Sequence, residues 1–151
     1  MNKIAKIVVF PMIVKYIDGK DMILLGRRYK GMLDLPAMTV VGDGELPTAT
    51  CVMGCKQKLD IDVAIDNLLY NHVQIVTTTD MTTSVDLYFF IFNYNRTPKL
   101  LDNNYIELVW SDLSNLPMDL LKYRRTMLEN NYLSNIKSFF SERRVKARSL
   151  Q

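Results

Sequence analysis

Side chains that bind metals or act as nucleophiles are scarce in this sequence. It holds one histidine, His72, and two cysteines, Cys51 and Cys55, in 151 residues. A lone histidine with no serine or cysteine nucleophile beside it reads as a hydrogen-bonded strand residue, because nucleophilic catalysis needs a base within reach of the attacking group. The cysteines stand four apart on one expected helix, which suits neither a disulfide nor a complete zinc set. They are expected as buried, reduced thiols, and that implies the cytoplasm. No run of about 18 apolar residues occurs, so no membrane span is expected. The apolar run after the first six residues contains Pro11 and leads to Lys15, which reads as a strand and not as a signal peptide. There is no internal repeat and no low-complexity segment. The net charge of +3 is too small to argue for a nucleic-acid partner.

What is present is an ordinary globular composition, 48% hydrophobic and 23% charged. One domain is expected over residues 1–141, followed by a basic tail over 142–151. Lys3 to Ile17 is rich in Ile and Val and reads as a first core strand, with Pro11 at an edge or a bulge. Asp18-Gly19 is a hairpin signal, and Met22 to Arg28 returns as a second strand. Arg27, Arg28 and Lys30 lie at its end, as polar strand-end residues or as partners for phosphate. A loop from Tyr29 to Asp34 follows.

A helix opens at Pro47, where a proline is tolerated. Leu46 before it cannot cap a backbone N–H, and Gly54 within it costs about 1 kcal/mol against alanine. Ala49, Val52, Cys55 and Leu59 give this helix an apolar stripe. Asp60, Asp62 and Asp66 cluster after it, but their spacing matches no calcium loop. Asn67 to Thr77 reads as a strand and Thr78 to Ser84 as a turn. The segment from Val85 to Phe92 is apolar on both faces in its later half and reads as a central strand. A loop from Asn93 to Asn104 leads to a strand around Glu107-Leu108-Val109-Trp110, where Trp110 is expected to pack.

Leu116-Pro117 is expected to open a second helix with Leu120, Tyr123, Met127 and Leu128 on its apolar face. Asn130-Asn131 is a natural break. Leu133, Ile136, Phe139 and Phe140 suggest a short added helix that covers the core or meets a protein partner. The tail Arg143-Arg144-Val145-Lys146-Ala147-Arg148 is either a solvated end or a patch that steers an acidic partner or nucleic acid.

The stretch from Leu35 to Ile61, LPAMTVVGDGELPTATCVMGCKQKLDI, resembles the loop–helix of the Nudix hydrolases, whose signature is G-x5-E-x7-R-E-U-x-E-E-x-G-U with U a bulky aliphatic. Anchoring the first glutamate on Glu45 puts Met53 at the arginine and Gly54 at the next glutamate. Gln57 and Lys58 stand at the glutamate pair, Asp60 at the glycine and Ile61 at the last aliphatic. The leading glycine falls on Thr39, or on Met38 with one extra loop residue. Met22-Ile23-Leu24-Leu25-Gly26-Arg27-Arg28, Leu35-Pro36, Ser84 to Phe90, Glu107 to Trp110 and Leu116-Pro117 are similar to the family's other core segments, in order.

The resemblance implies an α+β fold, an α/β/α sandwich with a mixed central sheet, flanking helices and here an additional short C-terminal helix. In that family the box glutamates hold magnesium, a cation that wants hard oxygen ligands. Positions 54, 57 and 58 share one helix face, and in this chain that face carries no carboxylate. No residue is therefore assigned to catalysis or to a metal, although Glu45, Met53, Gly54, Gln57 and Lys58 occupy the box. Glu45, without its arginine, is expected to face water or the helix N-terminus.

Lys58 either replaces the metal charge and holds a phosphate, or is a solvated lysine. Arg27, Arg28, Gln57 and Lys58 are the expected ligand-binding residues. The implied function is a catalytically silent binder of a nucleotide or nucleoside-diphosphate derivative, or a regulatory subunit, with no cofactor and a homodimer as one implied state. One alternative is a divergent pyrophosphohydrolase whose magnesium is held by some of Asp43, Glu45, Asp60 or Glu107, with Asp102 as a displaced acid. Another is a protein or RNA interaction module that uses the C-terminal helix and tail.

Overall fold

The computed structural model describes residues 6–29, 31–77 and 80–132. The added helix and basic tail suggested by the sequence lie outside these residues, as does Lys30. In chain order the elements are β1 (Lys6–Ile17), β2 (Lys20–Arg28), β3 (Leu33–Asp34), β4 (Thr39–Val40), α1 (Pro47–Leu59), β5 (Leu68–Thr77), β6 (Thr83–Ile91), β7 (Tyr105–Asp112) and α2 (Lys122–Asn131). They form a mixed sheet in the order β3-β2-β1-β6-β5, with β4 paired to β1 and β7 paired to β2. Among the described strand pairs only β1 and β6 run parallel; the others are antiparallel.

β1 is the spine, and its sequence shows why. Val8, Phe10, Met12 and Val14 enter one apolar cluster, while Val9 and Ile13 enter the other. β6 repeats this, with Tyr88 and Phe90 on the first side and Phe89 and Ile91 on the second. A strand buried on both faces needs apolar residues at every position. α2 closes the first face through Met127 and Leu128, and α1 closes the second through Cys51, Cys55 and Leu59. The α+β sandwich expected from the sequence is therefore present.

The β1–β2 turn has positive φ at both Asp18 (50°) and Gly19 (81°), the backbone that a tight two-residue hairpin requires. Pro11 sits inside the spine and leaves no ladder bond unmade. The carbonyl of Ile7 accepts from the N–H of Val41, so odd-numbered residues direct their bonds to that side. There β1 pairs β4 at Val8 and Val9 and β2 only from Val14 onward, and Pro11 falls in the gap.

Both helices depart from expectation. The buried side of α1 is Thr50, Cys51, Gly54, Cys55 and Leu59; Ala49 is exposed and Val52 half-buried. The stripe is rotated because Gly54, not a large apolar residue, makes the closest approach to the sheet. α1 ends on Asp60 in the left-handed region (φ 55°, ψ 36°), with its N–H on the carbonyls of Cys55 and Lys56. Aspartate is among the few residues that adopt this cap without large strain.

α2 begins at Lys122, five residues after Pro117. The intervening backbone is used elsewhere: Leu33 donates to Asp119 and Leu121 donates to Leu33, each at 3.0 Å. Leu120, Met127 and Leu128 are buried as expected, but Tyr123 is largely exposed and Arg124 is buried in its stead.

Arg124 is the centre of a buried polar cluster that joins three elements. Its Nε donates to Asp34 Oδ1 at 2.9 Å and its Nη1 to Asp86 Oδ2 at 3.3 Å, and Nη1 also donates to the Tyr88 hydroxyl. Its guanidinium lies 3.8 Å over the Phe10 ring. Asp34 also holds Arg28 Nη2 at 2.7 Å and the Leu35 N–H at 2.8 Å. Ser84 donates to Asp86. Two buried carboxylates thus face one buried and one half-exposed arginine. Removing one partner of such a set leaves an uncompensated buried charge, at a cost of about 3–5 kcal/mol. Arg124→Met is expected to lose about that much, read from the urea midpoint. Combining it with Asp34→Asn and Asp86→Asn is expected to cost less than Arg124→Met alone.

Candidate functional site

The loop before α1 is closed by its own glutamate. Glu45 Oε2 accepts from Thr50 Oγ1 at 2.9 Å and from the Gly42 N–H at 3.2 Å. Glu45 is exposed beside the start of α1, as expected, and in addition bonds a threonine and a loop amide. Leu46 makes no side-chain cap, as expected.

Gly54 is a packing requirement and not a loosened helix position. A Cβ placed on it would lie 2.4 Å from Thr39 Oγ1 and 3.4 Å from the Ala37 carbonyl. Thr39 Oγ1 is itself held by that carbonyl at 3.1 Å. α1 is therefore drawn down onto the backbone leading into β4. On the resemblance given above, the leading glycine of the box falls on Thr39 or Met38 and a glutamate falls on Gly54.

One turn further on, Lys58 is half-buried and its Nζ donates to the Met38 carbonyl. Gln57 is exposed beside it. Met53 is also exposed. The helix face that would hold magnesium thus presents a glycine in contact with Thr39, a neutral amide and an ammonium group. A divalent cation needs carboxylate oxygens there, so these residues do not fit it, and no step is routed through a metal. Among the described residues no three of His, Cys, Asp and Glu converge to hold one. Asp60 and Asp62 are engaged instead with Lys56, at 3.4 Å each, and with Arg96, at 3.3 and 3.9 Å. The Asn95 side chain, more than Lys56, holds the Asp62 carboxyl below its usual range.

Lys58 opens on a cleft of ≈ 510 Å³ that Arg28, Tyr29, Met38, Asp102, Asn104 and Tyr105 also line. Of the four expected ligand-binding residues, the fold brings Arg28 and Lys58 together here. Arg27 and Gln57 do not line it. Neighbours in a strand point to opposite faces, and Arg27 is turned to Glu107 (2.6 Å), Asp119 (2.7 Å) and the Gly31 carbonyl (2.7 Å). Those two acids raise the Arg27 pKa further, Asp119 first.

Asp102 accepts from the N–H and the side-chain amide of Asn104, each at 3.0 Å, and shapes the floor of the turn. Tyr105 donates to the Leu35 carbonyl at 2.9 Å and packs so close to Gly26 that a Cβ there would lie 2.6 Å from its ring. Tyr29 stands exposed at the rim. Cys51 and Cys55 are free and buried, as expected, and contact with Cys51 together with burial pushes the Cys55 thiol far up, which makes Cys55 a poor nucleophile.

Sequence reasoning missed Asp34, Asp86 and Arg124, and with them the anchor of Arg28. The signals were a single acid in the apolar β6, an acid between Leu33 and Leu35, and an arginine four residues from both Leu120 and Leu128. Tyr29, Asn104 and Tyr105 carried no such signal.

No protein-family model matches the sequence, and no curated protein matches it. Solved structures do. A MutT Nudix hydrolase from Burkholderia pseudomallei superposes with a TM-score of 0.71 at 20% identity, over 84% of this chain and 98% of that one. A MutT protein from Methanosarcina mazei Go1 gives 0.73 at 20% identity, over 89% and 98%. The Nudix domain of Shewanella oneidensis NrtR, solved with ADP ribose, gives 0.67 at 15% identity, over 84% and 86%. The chain has the Nudix fold.

Gly54→Glu is expected to cost about 1–3 kcal/mol by overpacking against Thr39. Adding Thr39→Gly is expected to recover part of that loss, with a coupling of at least about 0.5 kcal/mol in a double-mutant cycle read by thermal or urea unfolding. Additive losses would show that the two side-chain positions do not meet.

Burial raises the Tyr105 hydroxyl to about 12 from an ordinary value of 10.0. The unfolded chain then loses this proton first, so stability is full below about pH 10 and falls as pH rises toward 12. Tyr105→Phe is expected to flatten that alkaline loss, followed by unfolding midpoints across the same window.

Proposed function

We propose that this Nudix-fold chain binds a nucleotide or nucleoside-diphosphate derivative without magnesium and does not hydrolyse it at enzymatic rates. The observation that carries this reading is the convergence of Lys58 and Arg28 on one cleft whose helix wall offers no acid. Lys58 spends one of its three donors on the Met38 carbonyl and keeps two for a phosphate, which it meets as a point charge. Arg28 has one Nη fixed by Asp34 and its remaining donors available to the cleft. Asp102, the one acid among the described lining residues, suits hydroxyl groups, such as those of a ribose, at the other side. The exposed Tyr29 offers an aromatic face at the rim. The ADP ribose bound to the NrtR domain supports the ligand class. A role as a regulatory subunit follows naturally from such a binder.

Calorimetry with ADP-ribose and ADP in excess EDTA tests this. Both are expected to bind the wild-type chain, and Lys58→Glu to weaken them by at least about tenfold, or 1.4 kcal/mol. Equal affinity of the two proteins, or magnesium-dependent cleavage of a pyrophosphate bond by pure protein at enzymatic rates, would overturn the reading.

A further inference from the structure

β5 is the outermost strand of the sheet, and among the described residues no strand pairs its outer side. The direction of each backbone group follows from the ladders. Odd-numbered residues of β1 direct their bonds toward β4, so even-numbered ones direct theirs toward β6. In a parallel ladder a residue bonds the two neighbours of its partner. Val8 stands opposite Asp86 and so bonds Val85 and Leu87. Even-numbered residues of β6 therefore turn toward β5. Across that antiparallel ladder the bonded pairs are His72 with Tyr88, Gln74 with Asp86 and Val76 with Ser84. Val73, Ile75 and Thr77 are left with their N–H and C=O groups directed away from the sheet.

An open edge is a template for another strand, and proteins blunt such edges with lysine, proline or a bulge. β5 contains no Asp, Glu, Lys or Arg, no proline and no glycine. Its register shift, between Tyr70 and His72, leaves 73–77 regular. The side chains of Val73 and Ile75 stand on the α1 face of the sheet, opposite Leu87 and Val85. There α1 leaves them uncovered, Val73 44% and Ile75 71% exposed. Ile7 of β1, also exposed, continues this apolar row beyond Val85.

We infer that the outer side of β5 pairs antiparallel with the same strand of a second copy of this chain, about a twofold axis at Ile75. A twofold contact sets the residue on the axis against its own image, so a charge there would meet itself. β5 carries no such charge and is in this sense its own complement. The strand also fixes the register. With Ile75 against its copy, Val73 falls opposite Thr77 on both sides of the axis, and the three outward residues satisfy one another. A shift toward the N-terminus brings in the irregular 70–72 stretch, and a shift the other way runs past Thr77, where the strand ends. The two Ile75 side chains then lie side by side on the α1 face and leave water together. This contact shares no residue with the cleft, and it does not depend on what the cleft binds.

Two measurements on the full chain test this. Sedimentation over about 5–500 µM is expected to show monomer passing into dimer. Amide hydrogen exchange is expected to be at least about tenfold slower at the high end of that range for Val73, Ile75 and Thr77. His72, Gln74 and Val76 are expected to exchange equally at both ends, because β6 holds their amides in either state. Ile75→Lys removes the apolar pair at the axis and sets two ammonium groups there. It is expected to weaken the dimer by at least about tenfold at an unchanged circular dichroism spectrum. A chain that stays monomeric, exchange at Val73, Ile75 and Thr77 that does not change with concentration, or a dimer untouched by a folded Ile75→Lys would each overturn the proposal. If Ile75→Lys does not fold, the exchange comparison on the wild-type chain decides alone.

Discussion

The guanidinium of Arg124, closed in between Asp34 and Asp86, is the interaction on which most of the molecule's polar geometry depends. It ties α2 to β3 and β6 and stacks on Phe10 of β1. An ion set of this kind adds little net stability, because desolvation cancels much of the attraction. What it supplies is direction. Asp34 is held from two sides, by Arg124 and by Arg28, so the arginine that enters the cleft leaves a rigid base. On the other side Arg124 sets the proton of Tyr88, and Tyr88 sets Gln74. A half-satisfied set here would be worse than an apolar core, which makes the cluster intolerant of single changes.

The second constraint is steric and lies across the sheet. α1 comes close enough to the 37–39 segment that any side chain at position 54 must displace that of Thr39. The same descent brings Lys58 to the Met38 carbonyl. The missing acid at position 54 and the lysine at position 58 are therefore not independent oddities. An acidic side chain at 54 would push the helix away from β4, and a helix pushed away would take Lys58 from its carbonyl. Packing density in interiors leaves no slack to absorb such a change.

Much of the fold was legible because it follows from local pattern. β1 alternates between two cores, Asp18-Gly19 has the backbone its turn needs, and α1 starts at Pro47. The start of α2 was not legible, since the four residues between Pro117 and Lys122 are recruited by Leu33, nearly 90 positions earlier in the chain. β3, only two residues long, exists through that pairing and through β2 and has no periodicity of its own. The buried charges were missed for a physical reason. A charged residue is read as surface, and only its partner, distant in sequence, makes burial affordable. At the site, Lys58 and Arg28 were legible as cations near the cleft, but register alone separates Arg28 from Arg27. Gln57, one residue from Lys58, is turned to solvent by the same helical geometry.

Replacing a metal by an ammonium group changes what a phosphate site can do. A bound divalent ion polarises the phosphoryl oxygens and also generates the attacking hydroxide from its own water. A lysine does the first in part and the second not at all, since it has no open coordination position and no acceptor. Its attraction for a diphosphate is nearly the same in the ground state as in the transition state. Interactions of that uniform kind tighten binding without raising the rate. Speed would then need a carboxylate positioned as a base. The acids nearest α1 are occupied, Glu45 with Thr50 and Asp60 with Lys56 and Arg96, while Asp102, with Oδ1 on Asn104, lies in the turn at the other side of the cleft from α1. On the proposed reading the cleft keeps the affinity of its fold and lacks the two parts that make affinity into turnover.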